Sequence, residues 1–313
     1  MGEGIECGEV DLNRDLPIID AHQHFWDLSL GKHPWLCGDH QIPFRYGDYS
    51  ALKERDYLPD DYLADAANFN VQKTVYMEAE WDPADPLGET QWVMNQHART
   101  GFPHAIIGQA WFMADDIADM LAGQAACPLM RSVRQKPAAA PSPEAFQPGL
   151  PGSLADPAFR RGFAHMADHG LHYDLQTPWW HLGEAADLAR SFPDTTIILN
   201  HTGLPSDRSP AALDGWRQGM EILAAQPNTA VKISGICVPG ETWTAELNRD
   251  VVLATIRIFA PDRCMFASNF PVDRLVARFD EIFGGFMQIT EGLPASDQRK
   301  LFHDNAVKYY APV

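Results

Sequence analysis

An α/β fold closed into an eight-stranded (β/α)8 TIM barrel is what this sequence predicts, and three observations carry the prediction. Eight short apolar runs alternate with eight longer amphipathic stretches, the pattern of right-handed βαβ units building a parallel sheet. Several runs are apolar on both faces, as strands covered by helices require. No glycine-rich phosphate loop follows the first run, so a doubly wound open sheet lacks its usual fingerprint. No linker divides the 313 residues, and that length suits one barrel domain over 1–313 with enlarged loops.

The first strand is PIIDAHQH (17–24), apolar at its start and polar at its end. A long segment follows, 25–60, carrying Phe25, Trp26, Trp35, Phe44, Tyr46, Tyr49 and Tyr57; it is the first enlarged βα loop. Helical spacing begins near 61–69. Strand two is VQKTVYME (71–78) with its helix near 87–100, and strand three is HAIIGQAW (104–111) with its helix near 114–125. Strand four, PLMRSVRQ (128–135), leads into KPAAAPSPEAFQPGLPGSLADP (136–157), with prolines at 137, 141, 143, 148, 151 and 157. This second enlarged loop, loop 4, reads equally as a flexible excursion or as a lid. A helix near 155–168 precedes strand five, GLHYDLQ (170–176), and one near 181–192 precedes strand six, DTTIILNH (194–201). Helix 210–226, strand seven TAVKISG (229–235), helix 243–260, strand eight RCMFASN (263–269) and helix 275–290 complete the count.

Composition excludes several functions. The formal charge of −18, 24 basic against 42 acidic residues, repels phosphate backbones and anionic membrane surfaces, so neither nucleic acid nor membrane is an expected partner. Cys7, Cys37, Cys127, Cys237 and Cys264 are odd in number and lack CxxC spacing, which argues against a disulfide framework and for a reducing cytoplasm. The acidic start, MGEGIECGEVDLNRD, has no apolar core of a secretory signal. No apolar run reaches the ~18 residues of a membrane span. A small-molecule substrate is the expected partner, and a homo-oligomer is compatible with everything above.

The chemistry gathers at strand ends. In Asp20-Ala21-His22-Gln23-His24 the two-residue strand period puts Asp20, His22 and His24 on one face, which at the end of a barrel strand looks into the mouth. Two imidazoles there can share a divalent metal, or polarise a carbonyl without one. Alone, an HxH is more commonly a pair of satisfied core histidines. His201 closes strand six in Asn200-His201-Thr202-Gly203, where a turn-capping role is the plain alternative. Strand eight ends Ser268-Asn269-Phe270-Pro271-Val272-Asp273, which otherwise reads as an Asx-type turn. At the ends of strands one, six and eight of one barrel, the three signals reinforce one another.

IIDAHQHFWD, NHTGLP, VKISG, SNFPVD and NAVKYY, in that order and spacing, resemble the amidohydrolase superfamily over residues 17 to 311. The resemblance is to its amidohydrolase-related branch, with fuconolactonase-like sugar lactonases, sulfomuconolactonases and pyrone-dicarboxylate hydrolases. It implies a (β/α)8 hydrolase of lactone-type esters, with His22, His24 and His201 as ligands or electrophiles around the scissile carbonyl. It implies one divalent metal, zinc before manganese, or none. Two departures stand out. Asn269 occupies the place of the family's strand-eight aspartate, and asparagine accepts no proton. Strand four offers Arg131 and Arg134 where two-metal members have a bridging lysine or glutamate, so a two-metal site is not expected.

A replacement base is sought among Glu78, Asp273 and Asp174, in that order; for each, a salt bridge or turn cap is the plain alternative. Arginine among apolar strand residues is costly unless paired. The resemblance implies that an arginine of strand four, Arg131 or Arg134, grips a substrate carboxylate or stabilises the oxyanion, with a structural ion pair as the plain alternative and Arg131 favoured for the substrate role. Lys232 raises the same question. Trp26, Trp81, Trp111, Trp179, Trp180 and Trp243 each follow a strand; they suit the faces of a ring substrate, Trp26 first among them, or pack the loops onto the barrel. The expected activity is hydrolysis of a lactone or related ester. A metal-dependent decarboxylase of a small aromatic or unsaturated acid, and a catalytically silent binding barrel, are the alternatives.

Overall fold

The computed structural model describes residues 12–38 and 42–313; Cys7 and most of the acidic N-terminal stretch lie outside the described residues. Eight parallel strands follow one another around one sheet: β1 (Ile18–Gln23), β2 (Val71–Met77), β3 (Ala105–Gln109), β4 (Met130–Arg134), β5 (His172–Leu175), β6 (Ile197–Leu199), β7 (Thr229–Ile233) and β8 (Cys264–Phe266). The sheet curls until its edges meet. His24 N–H donates to Phe270 O (2.8 Å) and Asn269 N–H to His22 O (2.9 Å), so β1 bonds to the segment leaving β8. The architecture is the (β/α)8 barrel that the alternation predicts.

The period of two sorts the strand residues. Ile19, Val75, Met77, Ile107, Ile198, Ala230 and Met265 fill the barrel interior. Residues such as Tyr76, Val133, Tyr173, Val231 and Phe266 face outward under the helices. Helices Pro86–Thr100, Ile117–Ala125, Leu182–Ser191, Pro210–Ala224, Ala245–Phe259 and Phe279–Thr290 stand close to their expected positions. The first barrel helix is shifted, running Pro59–Asp65, and the expected 155–168 helix breaks into Pro157–Phe163 and Met166–His169. The chain ends in Ala295–Arg299, a π-helical turn at Lys300–Asp304, and Asn305–Tyr310. These last turns account for the NAVKYY motif: Asn305 Nδ2 donates to Pro261 O (2.6 Å) and Cys264 O (2.7 Å), and Tyr310 is buried in the interior cluster.

Below the mouth, β5 and β7 each turn one charged side chain inward. Lys232 Nζ lies 2.7 Å from Asp174 Oδ1, both fully buried, and the Tyr310 hydroxyl lies 3.0 Å from each Asp174 oxygen. Burial pulls the Lys232 ammonium down to about 8 against the pull of Asp174. Asp174 is therefore not a mouth residue, contrary to the sequence expectation: Lys232 and Tyr310 occupy its carboxylate inside the barrel. The four described cysteines are free thiols. Among the described residues no helix is long and apolar enough to cross a membrane.

Removing one member of a buried pair strands the other, which costs about 3–5 kcal/mol. Asp174→Asn is expected to lower the unfolding free energy by that amount, read from urea denaturation at pH 7. A loss below about 1 kcal/mol would show that Lys232 finds compensation elsewhere.

Candidate active site

Each side chain of the site is placed by a strand end. His22 and His24 leave β1 with ring centroids 5.0 Å apart, and His201, at the end of β6, brings its ring to 4.6 Å from His22. His24 Nδ1 lies 2.9 Å from Met77 O on β2 and His201 Nδ1 lies 2.9 Å from Ser234 Oγ after β7. His22 is fully buried, and neither of its ring nitrogens has a hydrogen-bond partner. Gly235, at φ +54°, makes room: a Cβ there would stand 2.6 Å from His201 Nδ1 and 2.8 Å from Arg45 Nη2.

All three imidazoles are held uncharged. Burial pushes His22 well below its ordinary value, helped by His201 and Lys232. Burial and then Arg134 bring His24 down to about 3. Burial and then the Arg45 guanidinium push His201 well below its ordinary range. Each ring thus presents a lone pair, and the fixed Nδ1 contacts of His24 and His201 resemble the outer-shell bonds that orient metal-binding histidines. As they stand, however, no three His, Cys, Asp or Glu side chains among the described residues converge tightly enough to hold a metal ion.

Asp20 leaves the face predicted for it. The β1–β2 register shifts between Asp20 and Gln23, an irregularity of the kind that interrupts strict alternation. Its carboxylate accepts instead from Ser268 N–H (2.9 Å), Ser268 Oγ (2.6 Å) and Tyr62 OH (2.9 Å).

Asn269 comes to the mouth beside His24, with which it interacts. Its φ of +58° is a conformation asparagine tolerates. Its Nδ2 donates to Asp273 Oδ1 (2.6 Å), which also receives Tyr46 OH (2.9 Å), while Cys237 Sγ reaches Asp273 Oδ2 (3.4 Å). Burial raises the Asp273 carboxyl above its ordinary value, opposed by Arg45 and these donors. An asparagine here thus supplies a donor to a buried carboxylate where an aspartate would repel it.

The other expected acids and bases divide. Glu78 pairs with Arg134, which also donates through Nη2 to Glu78 O (2.8 Å) and through Nη1 to Gln176 Oε1 (3.2 Å). Burial acts to raise the Glu78 carboxyl, and the Arg134 guanidinium overrides this and holds it below its ordinary value. Arg131 is not at the mouth. It sits at the opposite, N-terminal end of β4, its guanidinium donating to Pro128 O, Met130 O and Ala311 O; it is three positions before Arg134, which ends the strand. Trp26 is also displaced from its expected role. It is buried in the first loop, with Nε1 donating to Arg55 O and its ring against Trp35 and Tyr57.

A cavity of about 180 Å³ opens between His24, His201, Asn269, Arg134 and Gln176, walled by Trp35, Phe44, Arg45, Glu80 and Lys136. An apolar recess of about 310 Å³ adjoins it beneath Trp81 and Trp111, and a groove of about 790 Å³ runs past Arg45 to Trp179 and Trp180. Trp243 instead packs on Phe286. Loop 4 lies against the β5 side of the barrel: Ala140 N–H donates to His181 Nε2 (2.8 Å), Trp180 Nε1 to Ala140 O (2.9 Å), and Gly149 N–H to Glu184 Oε1 (2.9 Å).

The sequence reading missed Arg45, Lys136, Gln176 and Ser234. Arg45 is a lone cation in the aromatic stretch Ile42-Pro43-Phe44-Arg45-Tyr46, and that isolation was its one signal.

Eight parallel strands with histidines gathered at the mouth define a (β/α)8 barrel with a candidate active site. The amidohydrolase family matches residues 19–311, and the chain belongs to it, which makes it a hydrolase of the amidohydrolase class. Across 296 residues it is 42% identical to the uncharacterized protein y4mH of Sinorhizobium fredii, covering 95% of this chain and 99% of that one. It is 26% identical over 298 residues to an L-fucono-1,5-lactonase of Burkholderia ambifaria, covering 93% and 94%. A Burkholderia multivorans amidohydrolase crystallised with bound zinc shares the fold at a TM-score of 0.78 and 23% identity, over 95% of this chain and 99% of that one.

Asn269→Asp sets a second carboxylate against Asp273, whose lost donor costs on the order of 1–3 kcal/mol. Two carboxylates so close share a proton and one pKa rises, so the loss is expected to be largest near pH 8 and to shrink as pH falls. Unfolding free energies of wild type and variant across pH 5–8 check this; a pH-independent difference would show that Asp273 is already protonated.

Proposed function

We propose that the chain hydrolyses a small lactone or related ester whose carbonyl lies against His22, His24 and His201. The observation that carries this reading is the buried His22 ring, with two partnerless nitrogens between two further neutral imidazoles. The L-fucono-1,5-lactonase relatives support the ester class. The charge of −18 and the small volume of the cavity favour a small ligand over nucleic acid or membrane.

The two unpartnered His22 nitrogens and the uncharged rings of His24 and His201 are donors of the kind a single divalent ion takes, zinc before manganese, and the three would have to draw closer than they stand to hold it. Such an ion, when bound, supplies carbonyl polarisation and a more acidic water. The chain's own groups do the rest. Arg134, fixed by Glu78, and Gln176 line the cavity with hydrogen-bonding groups, and the stacked pair Trp35 and Phe44 lines it with apolar surface. The carboxylates considered as a replacement base are all engaged: Glu78 with Arg134, Asp273 with Asn269 and Tyr46, Asp174 with Lys232. The His22 ring nitrogens, by contrast, are unengaged and available as lone-pair donors.

Against a lactone panel read by acid release, His22→Ala, His24→Ala and His201→Ala are each expected to lose about 10²–10⁴-fold in kcat/KM while keeping a native circular dichroism spectrum. Calorimetric titration with zinc is expected to show one site per chain in the wild type and none in the triple variant. Variants with near-normal kcat/KM on a lactone that the wild type hydrolyses would sink this reading.

A further inference from the structure

Three cations wall the cavity among the described residues, and they are not equivalent. Arg134 is paired with Glu78 and Lys136 with Glu80. Beneath them Lys232 is paired with Asp174. Arg45 has no such partner among the described residues: its Nη1 is buried without a hydrogen bond, and its guanidinium stacks 4.6 Å over the Tyr46 ring. The acid whose field it feels, Asp273, is already taken up by Asn269, Tyr46 and Cys237. Arg131, Arg208 and Arg263 also lack a carboxylate, but each donates to backbone carbonyls; Arg45 has no hydrogen-bond partner among the described residues, and an unpaired buried charge is costly. The space beside Gly235 is shared by Arg45 Nη2 and His201 Nδ1. Arg45 therefore reaches the reaction centre on the edge of His201 that Ser234 holds, and not between the histidines.

We propose that Arg45 binds a carboxylate that the substrate carries apart from its scissile ester, so that the preferred substrate is an anionic lactone. The planar fork of arginine suits a carboxylate through two parallel hydrogen bonds. The proposal deepens the hydrolase reading and rests on it for the word substrate; the anion site itself stands on the charges alone. Because Arg45 also lines the groove toward Trp179 and Trp180, the carboxylate is expected on the side of the ring that faces that groove.

The test compares two lactones that differ only in a ring carboxylate and its methyl ester, with wild type, Arg45→Gln and Arg45→Lys. Wild type is expected to prefer the carboxylate by roughly 10–100-fold in kcat/KM, the range of a charged hydrogen bond, with the difference in KM. Arg45→Gln should erase the preference, and Arg45→Lys should keep part of it. An equal loss on both lactones would overturn the proposal and make Arg45 a group that acts on the ester itself. So would a wild-type preference for the neutral lactone. A second arm needs no turnover: glutarate, against its dimethyl ester, is expected to raise the Tm of wild type and not of Arg45→Gln. If no lactone is hydrolysed but the glutarate shift holds, the hydrolase reading falls and the anion site stands. If lactones are hydrolysed and neither carboxylate preference nor shift is seen, the anion site falls and the hydrolase stands.

Discussion

Asp20 does not line the cavity, yet its carboxylate joins the two strands that carry most of the site. It accepts from the Ser268 amide and hydroxyl on one side and from Tyr62, on the first barrel helix, on the other. Ser268 precedes Asn269 and Asp20 lies two residues before His22, so the bonds that close the barrel also set Asn269 beside His24. The backbone bonds from His24 to Phe270 and from Asn269 to His22 complete the seam. A barrel has no free edge once closed, and here the last junction to close is the one on which the chemistry stands. Burial raises the Asp20 carboxyl above its ordinary value, with Ser268, Tyr62 and the His22 amide opposing the shift; the carboxylate is kept in place by the number of donors it receives.

Charge compensation explains much of what surrounds that seam. An acidic chain supplies the basic residues near the mouth and in the barrel interior with carboxylates, Glu78 for Arg134, Asp174 for Lys232 and Glu80 for Lys136, whereas Lys73 and Arg131 donate to backbone carbonyls. The same logic reaches Asn269. With Asp273 buried four residues on, a second carboxylate would raise the energy of both, whereas an amide gives Asp273 a donor and still presents a polar atom at the mouth. The histidines follow the opposite rule. Burial and nearby cations keep them neutral, which preserves the lone pairs that polarising a carbonyl, binding a metal or taking a proton all require.

The loops have a comparable division of labour. The first is anchored on the end of β2, where His33 Nδ1 and Trp35 Nε1 both reach Ala79 O, at 3.0 and 2.9 Å. That anchorage presents Trp35, Phe44 and Arg45 to the cavity and buries Trp26 behind them. The proline-rich loop 4 is tied to the β5 side through the buried His181–Glu184 pair. Its composition suggests either a flexible excursion or a lid, and in the structure its hydrogen bonds lay it against the β5 side of the mouth, with Lys136 at its start.

The part of this protein that is written in local periods is legible from the order of its residues. The alternation of strand and helix is legible because a two-residue and a 3.6-residue repeat bury different faces, so eight strands and most of their helices stand where the apolar pattern puts them. His22, His24, His201 and Asn269 are legible as a group because each ends a strand, and strand ends on one side of a barrel must meet. Tertiary structure alone decided the rest. Arg131 and Arg134 look alike in MRSVR, yet they lie at opposite ends of β4. Asp174 and Lys232 are 58 residues apart, and only the curvature of the barrel turns them into a pair. Asp20 shares a period with His22, and a register shift sends it elsewhere. Arg45 lies in a loop without any period, so its arrival beside His201 depends on how that loop packs. Partnership between distant charges is a property of three-dimensional proximity, and a linear pattern of polar and apolar residues holds no record of it.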